Sequence, residues 1–211
     1  LLEGKANALV TAPISKIAWH KAGHTFAGQT ELLGKLTNKK TSMLFTAISP
    51  KNGWRFNTLL ATTHIPLKSV VKKIDKKLII KKINLLNKFY NERLSLKPKI
   101  AVLGLNPHCE TTYKFSEEEK ILVPAINVLK SKKIRIYGPF PTDTFFLKSN
   151  YFKYDLVIGM YHDQVLTPIK TLFEFNAINI TVGLPFIRIS PDHGPNEKMV
   201  SKGKSSPLSL I

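Results

Sequence analysis

Short runs of aliphatic and β-branched residues recur along this chain with amphipathic stretches between them, and few architectures accept that alternation. Strands are expected over residues 6–11, 42–48, 54–62, 99–104, 134–137, 154–159 and 177–182, the first of them buried. Helical spacing fills the gaps at 14–21, 76–93, 117–130 and about 164–173, with a further helix opening near Thr30 as its cap. Ser116 followed by Glu119 reads as a capping box for the 117–130 helix. The turn Ser49-Pro50-Lys51-Asn52-Gly53 predicts one antiparallel pair. Beyond Gly183-Leu184-Pro185 the chain turns polar and rich in Gly and Pro. Together these features predict an α/β, three-layer fold with a mixed sheet.

Composition narrows the class. A content of 43% hydrophobic residues supports a folded globule, and no apolar run reaches membrane-spanning length. The lone cysteine, Cys109, leaves no internal disulfide and suits a reducing, cytoplasmic setting; it reads as a small residue filling a tight turn. The balance of 32 Lys+Arg against 14 Asp+Glu gives +18, which admits non-specific attraction to nucleic acid. The lysines, however, are spread along the chain. Within 76–93 they share a segment with Leu78, Ile79, Ile83, Leu86 and Phe89, as on the solvated face of an amphipathic helix. No basic-aromatic interleaving, helix-turn-helix or RNA-binding pattern accompanies them, so neither nucleic acid nor membrane is an expected partner.

Three histidines share one context. His64 follows the 54–62 strand, His108 follows the 99–104 strand and His162 follows the 154–159 strand. If those strands are neighbours, the imidazoles converge at one sheet edge, where open α/β sheets carry their sites. Three neutral imidazoles suit a divalent metal; taken singly, each is more often a hydrogen-bonded structural histidine. Asp143 and Asp163 are the carboxylates nearest in sequence, available as proton acceptors or as partners that orient an imidazole. Lys170, Asn179 and Arg188 lie near strand or helix ends, where they would form a cationic pocket for phosphate or carboxylate. His193-Gly194 sits in a glycine-bearing loop able to approach a ligand; His20 and His24 read as exposed.

Several separated motifs then resemble one family in collinear order. They are Gln29-Thr30-Glu31, Thr62-Thr63-His64-Ile65-Pro66-Leu67, Leu105-Asn106-Pro107-His108, the 138–144 loop Gly-Pro-Phe-Pro-Thr-Asp-Thr, Met160-Tyr161-His162-Asp163-Gln164, and Gly183-Leu184-Pro185-Phe186-Ile187-Arg188. The family is 4-hydroxythreonine-4-phosphate dehydrogenase, often called PdxA. The resemblance implies an isocitrate/isopropylmalate-dehydrogenase-like fold and a homodimer with an active site shared between subunits. It implies an NAD-dependent, divalent-metal-dependent oxidation and decarboxylation of 4-phosphohydroxy-L-threonine in pyridoxal 5'-phosphate (vitamin B6) biosynthesis.

Carried over position by position, the resemblance assigns His64, His108 and His162 to the metal (Zn, Co, Mn or Mg). It assigns Gln29, Thr30, Lys170, Asn179 and Arg188 to the phosphorylated substrate. Asp143 and Asp163 take the active-site aspartates, with Lys170 beside them as a catalytic candidate. His193 and Gly194 open a stretch, running through Lys202 to Ser206-Pro207, that resembles the adenosine-side NAD loop. The family pattern has His at position 29; Gln can hydrogen-bond a substrate oxygen but carries no charge. Family chains also have a further N-terminal segment before the matched region. The resemblance therefore predicts a central domain over 1–185 carrying the metal site and dimer interface, and a return segment of an incomplete NAD-side domain over 186–211. The alternative functions are a paralogous dehydrogenase of threonate or erythronate 4-phosphate, and an inactive truncated remnant.

Overall fold

In a computed structural model, residues 1–49, 53–109, 115–174, 176–195 and 197–203 are described. Strands in chain order are β1 (Ala8–Val10), β2 (Ser42–Ile48), β3 (Arg55–Leu60), β4 (Ile100–Leu103), β5 (Ile136–Phe140), β6 (Leu156–Gly159), β7 (Ala177–Val182) and β8 (Ile187–Pro191). Helices are α1 (Lys16–Lys21), α2 (Gln29–Leu36), α3 (Leu67–Lys73), α4 (Lys76–Leu94), α5 (Val123–Ser131), α6 (Thr142–Phe145), α7 (Lys148–Tyr151) and α8 (His162–Phe173). The chain forms two compact units, one of Leu1–Trp54 with Phe173–Ile211 and one of Arg55–Leu172. The boundary read from the sequence at 185/186 falls inside the first of these.

In the Arg55–Leu172 unit β3, β6, β4 and β5 run parallel in that order. Strands of a parallel sheet are covered on both faces, and β4 and β6 are accordingly buried at every position. Helix α4 begins where the Asp75 carboxylate accepts the Leu78 N–H (2.6 Å), and it ends at Ser95 in the left-handed region (φ 53°). Its buried side chains Ile79, Ile83, Leu86 and Tyr90 recur at helical spacing, which leaves Lys76, Lys77, Lys81 and Lys88 exposed, while Lys82 is half-buried and burial lowers its pKa to about 8. Helix α4 packs against α5, and α5 against β5. The helix expected over 117–130 is divided. Its first turn, Glu118–Leu122, is a π turn in which the Val123 N–H donates to the Glu118 carbonyl. Pro124 has no N–H for the carbonyl of Lys120, so the α pattern cannot start there.

In the other unit the order is β1, β8, β7, β2, with β1 parallel to β8 and the remaining pairs antiparallel. The mixed α/β character expected from the sequence is therefore present. Two local expectations are corrected. The strand over 6–11 is the shorter β1, and Val10 is 58% exposed rather than buried, because β1 pairs on one side only among the described residues. Thr30 does not cap α2; Gly28 holds that position and Thr30 lies buried inside the helix. The segment after Gly183-Leu184-Pro185 contributes a strand, β8. Part of the 49–53 turn lies outside the described residues. Among the described residues no helix is long and apolar enough to cross a membrane.

Candidate active site

Register brings two of the histidines together. Pairing between β3 and β6 continues past both strands: the Ala61 N–H donates to the Gly159 carbonyl (2.8 Å) and the Thr62 N–H to that of Met160 (3.2 Å). The Thr62 hydroxyl donates to the same Met160 carbonyl (2.7 Å). Two residues on from each member of that last pair stand His64 and His162, with ring centroids 5.6 Å apart. They line a cavity of about 310 Å³ with Ile65, Leu67, Val70, Tyr161 and Asp163. Gly159 permits the turn into α8, since a Cβ there would lie 2.6 Å from Val165 Cγ1.

His108 follows β4, the strand on the other side of β6. Both His108 (φ 58°) and Cys109 (φ 53°) are left-handed, a cost that non-glycine residues bear only where the surroundings hold them. Glu118 holds this turn. Its Oε1 accepts the N–H groups of Leu105 (2.7 Å) and Asn106 (2.8 Å), and its Oε2 accepts Asn106 Nδ2 (2.8 Å). Burial alone would raise the Glu118 pKa, yet the hydrogen bonds from Asn106 and Leu105 outweigh it and hold the carboxyl below its usual value. The Cys109 thiol is pushed up to about 11, first by burial and then by the Glu118 carboxylate, so it is an inert filler of the turn.

Two of the three imidazoles are backed by carboxylates. His162 Nδ1 lies 2.7 Å from Asp163 Oδ1, and His108 Nδ1 lies 3.4 Å from Asp143 Oδ2. A neutral imidazole with its Nδ1 hydrogen turned to such a carboxylate leaves Nε2 able to ligate, the arrangement of metal-binding histidines. The donor chemistry thus fits a divalent metal. Among the described residues, however, no three His, Cys, Asp or Glu side chains gather to hold one within a single chain. His64 and His162 are together, and the contact recorded for His108 is with Asp143. Lys170 stands half-buried in the last turn of α8.

In the other unit, Gln29 and Thr30, two of the residues assigned to substrate, contact Arg188, which is 4% exposed. Nη1 donates to Thr181 Oγ1 (3.0 Å) and Thr30 Oγ1 (3.4 Å); Nη2 donates to Thr11 Oγ1 (2.6 Å) and Gln29 Oε1 (2.7 Å). All four acceptors are neutral. The fifth donor, Nε–H, is buried without a partner among the described residues, as is Asn179 Oδ1. Asn179 pairs with Ser190 across the β7–β8 ladder, so Asn179, Thr181, Arg188 and Ser190 share one sheet face. An unmatched donor and an unmatched acceptor on that face are what a hydroxyl-bearing ligand would satisfy. Burial lowers the guanidinium pKa and Glu31 opposes the shift, yet arginine stays charged.

His193 Nδ1 lies 3.0 Å from the Gly194 carbonyl, after β8. Asn196 and residues 204–211, within the stretch likened to the NAD loop, lie outside the described residues. His20 and His24 are exposed and tied locally, His20 Nδ1 to the His24 carbonyl at 2.8 Å. Three polar residues gained roles that the sequence did not assign: Thr11, Thr181 and Glu118. Thr181 was within reach of strand alternation, two positions after Asn179. No periodic signal marked the others.

The model of a protein family described as "Pyridoxal phosphate biosynthetic protein PdxA" matches residues 1–211. The chain is 41% identical over 224 residues to a 4-hydroxythreonine-4-phosphate dehydrogenase of Synechococcus sp. strain RCC307, covering 100% of this chain and 68% of that protein. It is 38% identical over 212 residues to a D-threonate 4-phosphate dehydrogenase of Pectobacterium atrosepticum, covering 99% and 63%. Among solved structures, a 4-hydroxythreonine-4-phosphate dehydrogenase of Klebsiella pneumoniae superposes with a TM-score of 0.83 at 37% identity, covering 99% of this chain and 62% of that one. An isocitrate dehydrogenase of Methylococcus capsulatus superposes with a TM-score of 0.56 at 12% identity and 97% and 65% coverage, a likeness of fold alone. The chain thus spans about two thirds of the length of the curated relatives it matches.

Proposed function

The chain belongs to the PdxA family, and from that premise we propose that the intact protein oxidises and decarboxylates 4-phosphohydroxy-L-threonine with NAD, in the pathway to pyridoxal 5'-phosphate. The observation that carries this reading is the pair of carboxylate-backed imidazoles, Asp143–His108 and Asp163–His162, at neighbouring strand ends with His64 against the second. His64, His108 and His162 would hold the divalent metal, with the set completed in a homodimer whose subunits share the site. When bound, the metal supplies a Lewis acid for the oxygen of the hydroxyl being oxidised. Asp143 and Asp163 keep the Nδ1 hydrogens in place, so that the Nε2 lone pairs remain available.

The Arg188 cluster, with Gln29, Thr30 and Asn179, would take the phosphate or carboxylate, and Lys170 a second anionic group. His193 and Gly194 would contribute to the NAD side. Oxidation removes a hydride to NAD and a proton to a base, for which Asp143 or Asp163 is available; the resulting 3-oxo acid then loses CO2 to give 3-amino-2-oxopropyl phosphate. Gln29 supports a second reading. Its amide already accepts from Arg188 (2.7 Å) and is neutral where the family pattern has His, and one relative carries the name D-threonate 4-phosphate dehydrogenase. The substrate would then be a four-carbon sugar-acid phosphate.

NADH formation by the intact protein, measured with both substrates before and after chelation, tests the proposal. The expected result is turnover lost on chelation, restored by a divalent metal, and reduced by about 100-fold or more in His162→Ala. Turnover indifferent to chelation and to His108→Ala would discard the metal assignment. A higher kcat/KM for D-threonate 4-phosphate would select the second reading.

A further inference from the structure

One buried side chain touches the starts of three loops that carry the proposed chemistry. Gln164 lies in the first turn of α8 and is 5% exposed. Its Oε1 accepts the Met160 N–H at 2.6 Å, two residues before His162. Its Nε2 donates to the Gly104 carbonyl at 2.6 Å, where β4 gives way to the turn of His108. The same nitrogen donates to Thr142 Oγ1 at 2.8 Å, one residue before Asp143. A single amide therefore joins the ends of β6, β4 and β5, and it does so with its acceptor and both donor hydrogens committed.

We propose that Gln164 is a positioning residue that sets the His108–Asp143 pair and His162 relative to one another. It reaches none of the reacting groups itself. Its importance for turnover rests on the function proposed above; its effect on the imidazoles does not. The three backbone and side-chain groups it joins belong to separate segments, 104–109, 140–143 and 160–162, which have no covalent reason to keep a common geometry. Fully satisfied buried amides fix such geometry because each misplaced loop would strand a donor or an acceptor. The requirement is specific to glutamine. Glutamate keeps the acceptor for Met160 but turns an oxygen toward the Gly104 carbonyl; methionine fills the volume and makes none of the three bonds.

The test uses Gln164→Met and Gln164→Glu in the intact protein, with three readouts. Imidazole NMR signals of His108 and His162 report ring environment and tautomer, calorimetric titration with Zn2+ reports metal affinity, and denaturation reports folding. Both variants are expected to shift both imidazole signals and to weaken Zn2+ binding by about 10- to 100-fold, as for loss of groups that orient metal ligands. In turnover, kcat falls while KM for NAD stays near the parent value. Thr142→Val, which removes one hydrogen bond only, guards against variants that fail to fold; it should move the His108 signals and leave those of His162 near their parent positions. Imidazole spectra that superpose on the parent in folded variants, or Zn2+ affinity unchanged within about two-fold, would overturn the proposal. If the parent protein neither turns over substrate nor binds metal, the proposed function fails, and the imidazole spectra alone still decide the role of Gln164.

Discussion

Replacing Arg188 by lysine keeps a positive charge in the same buried cluster and removes the planar fork. In the parent, four N–H donors reach Thr11, Gln29, Thr30 and Thr181. An ammonium has three donors on a different stem, so at least one oxygen loses its partner. Hydrogen bonds to a charged group contribute about 1.5–3 kcal/mol each. With the fork geometry lost as well, folding stability should fall by about 2–4 kcal/mol. For a chain of this size that is a melting shift of about 4–16 °C. The fifth donor, the unmatched Nε–H, disappears in the same substitution. Thermal denaturation with and without inorganic phosphate reads both effects. Phosphate at about 100 times its Kd should stabilise the parent by about 2.7 kcal/mol, and the variant by clearly less. A variant that melts within about 1 °C of the parent, with the same response to phosphate, would show that the guanidinium census does not describe an anion site.

Two further outcomes follow from the loops. Glu118→Gln keeps one oxygen for the Leu105 and Asn106 amides and loses one of the two carboxylate acceptors of Asn106 Nδ2, the other being Glu117 Oε2 (2.8 Å), so it should destabilise by about 1.5–3 kcal/mol at neutral pH. Because the folded pKa of Glu118 is depressed, its contribution is fully present above the unfolded value of about 4.3 and is lost as pH falls through the folded value. Denaturation curves of parent and variant should therefore converge in acid; a gap that stays constant with pH would contradict this. Gly159→Ala should cost about 1–3 kcal/mol through contact with Val165, and Val165→Ala in the same chain should recover part of that cost. Strict additivity in a double-mutant cycle would show that the close approach is not the cause.

Where local pattern and tertiary context agree, the sequence was a good guide. β2 (Ser42–Ile48) and β7 (Ala177–Val182) occupy the residues predicted, because each is an apolar run bounded by turn residues and buried in its unit. β8 was not foreseen, since Ile187-Arg188-Ile189-Ser190-Pro191 places a charge and a proline where a strand pattern expects neither. Arg188 there points into a ring of hydroxyls and an amide contributed by α2, β7 and the residue after β1, and the partners on α2 and after β1 are far away in sequence. The strand-end positions of the three histidines were legible. The carboxylates that orient two of them were named without their pairings, which depend on loop geometry. Glu118 escaped altogether, and Gln164 stood in a motif without a role: a buried acid or amide looks like any surface residue until its backbone partners are known.

The pairing that extends beyond β3 and β6 makes the two connectors a measured distance rather than merely a sequence of residue types. His64 and His162 meet because each stands the same count beyond the last bonded pair, Thr62 with Met160. Residue types within those connectors can drift without moving either ring, but adding or dropping one residue in either would send its imidazole round to another side. Among natural variants of this chain, length at 61–64 and 159–162 should be the invariant, whatever happens to composition.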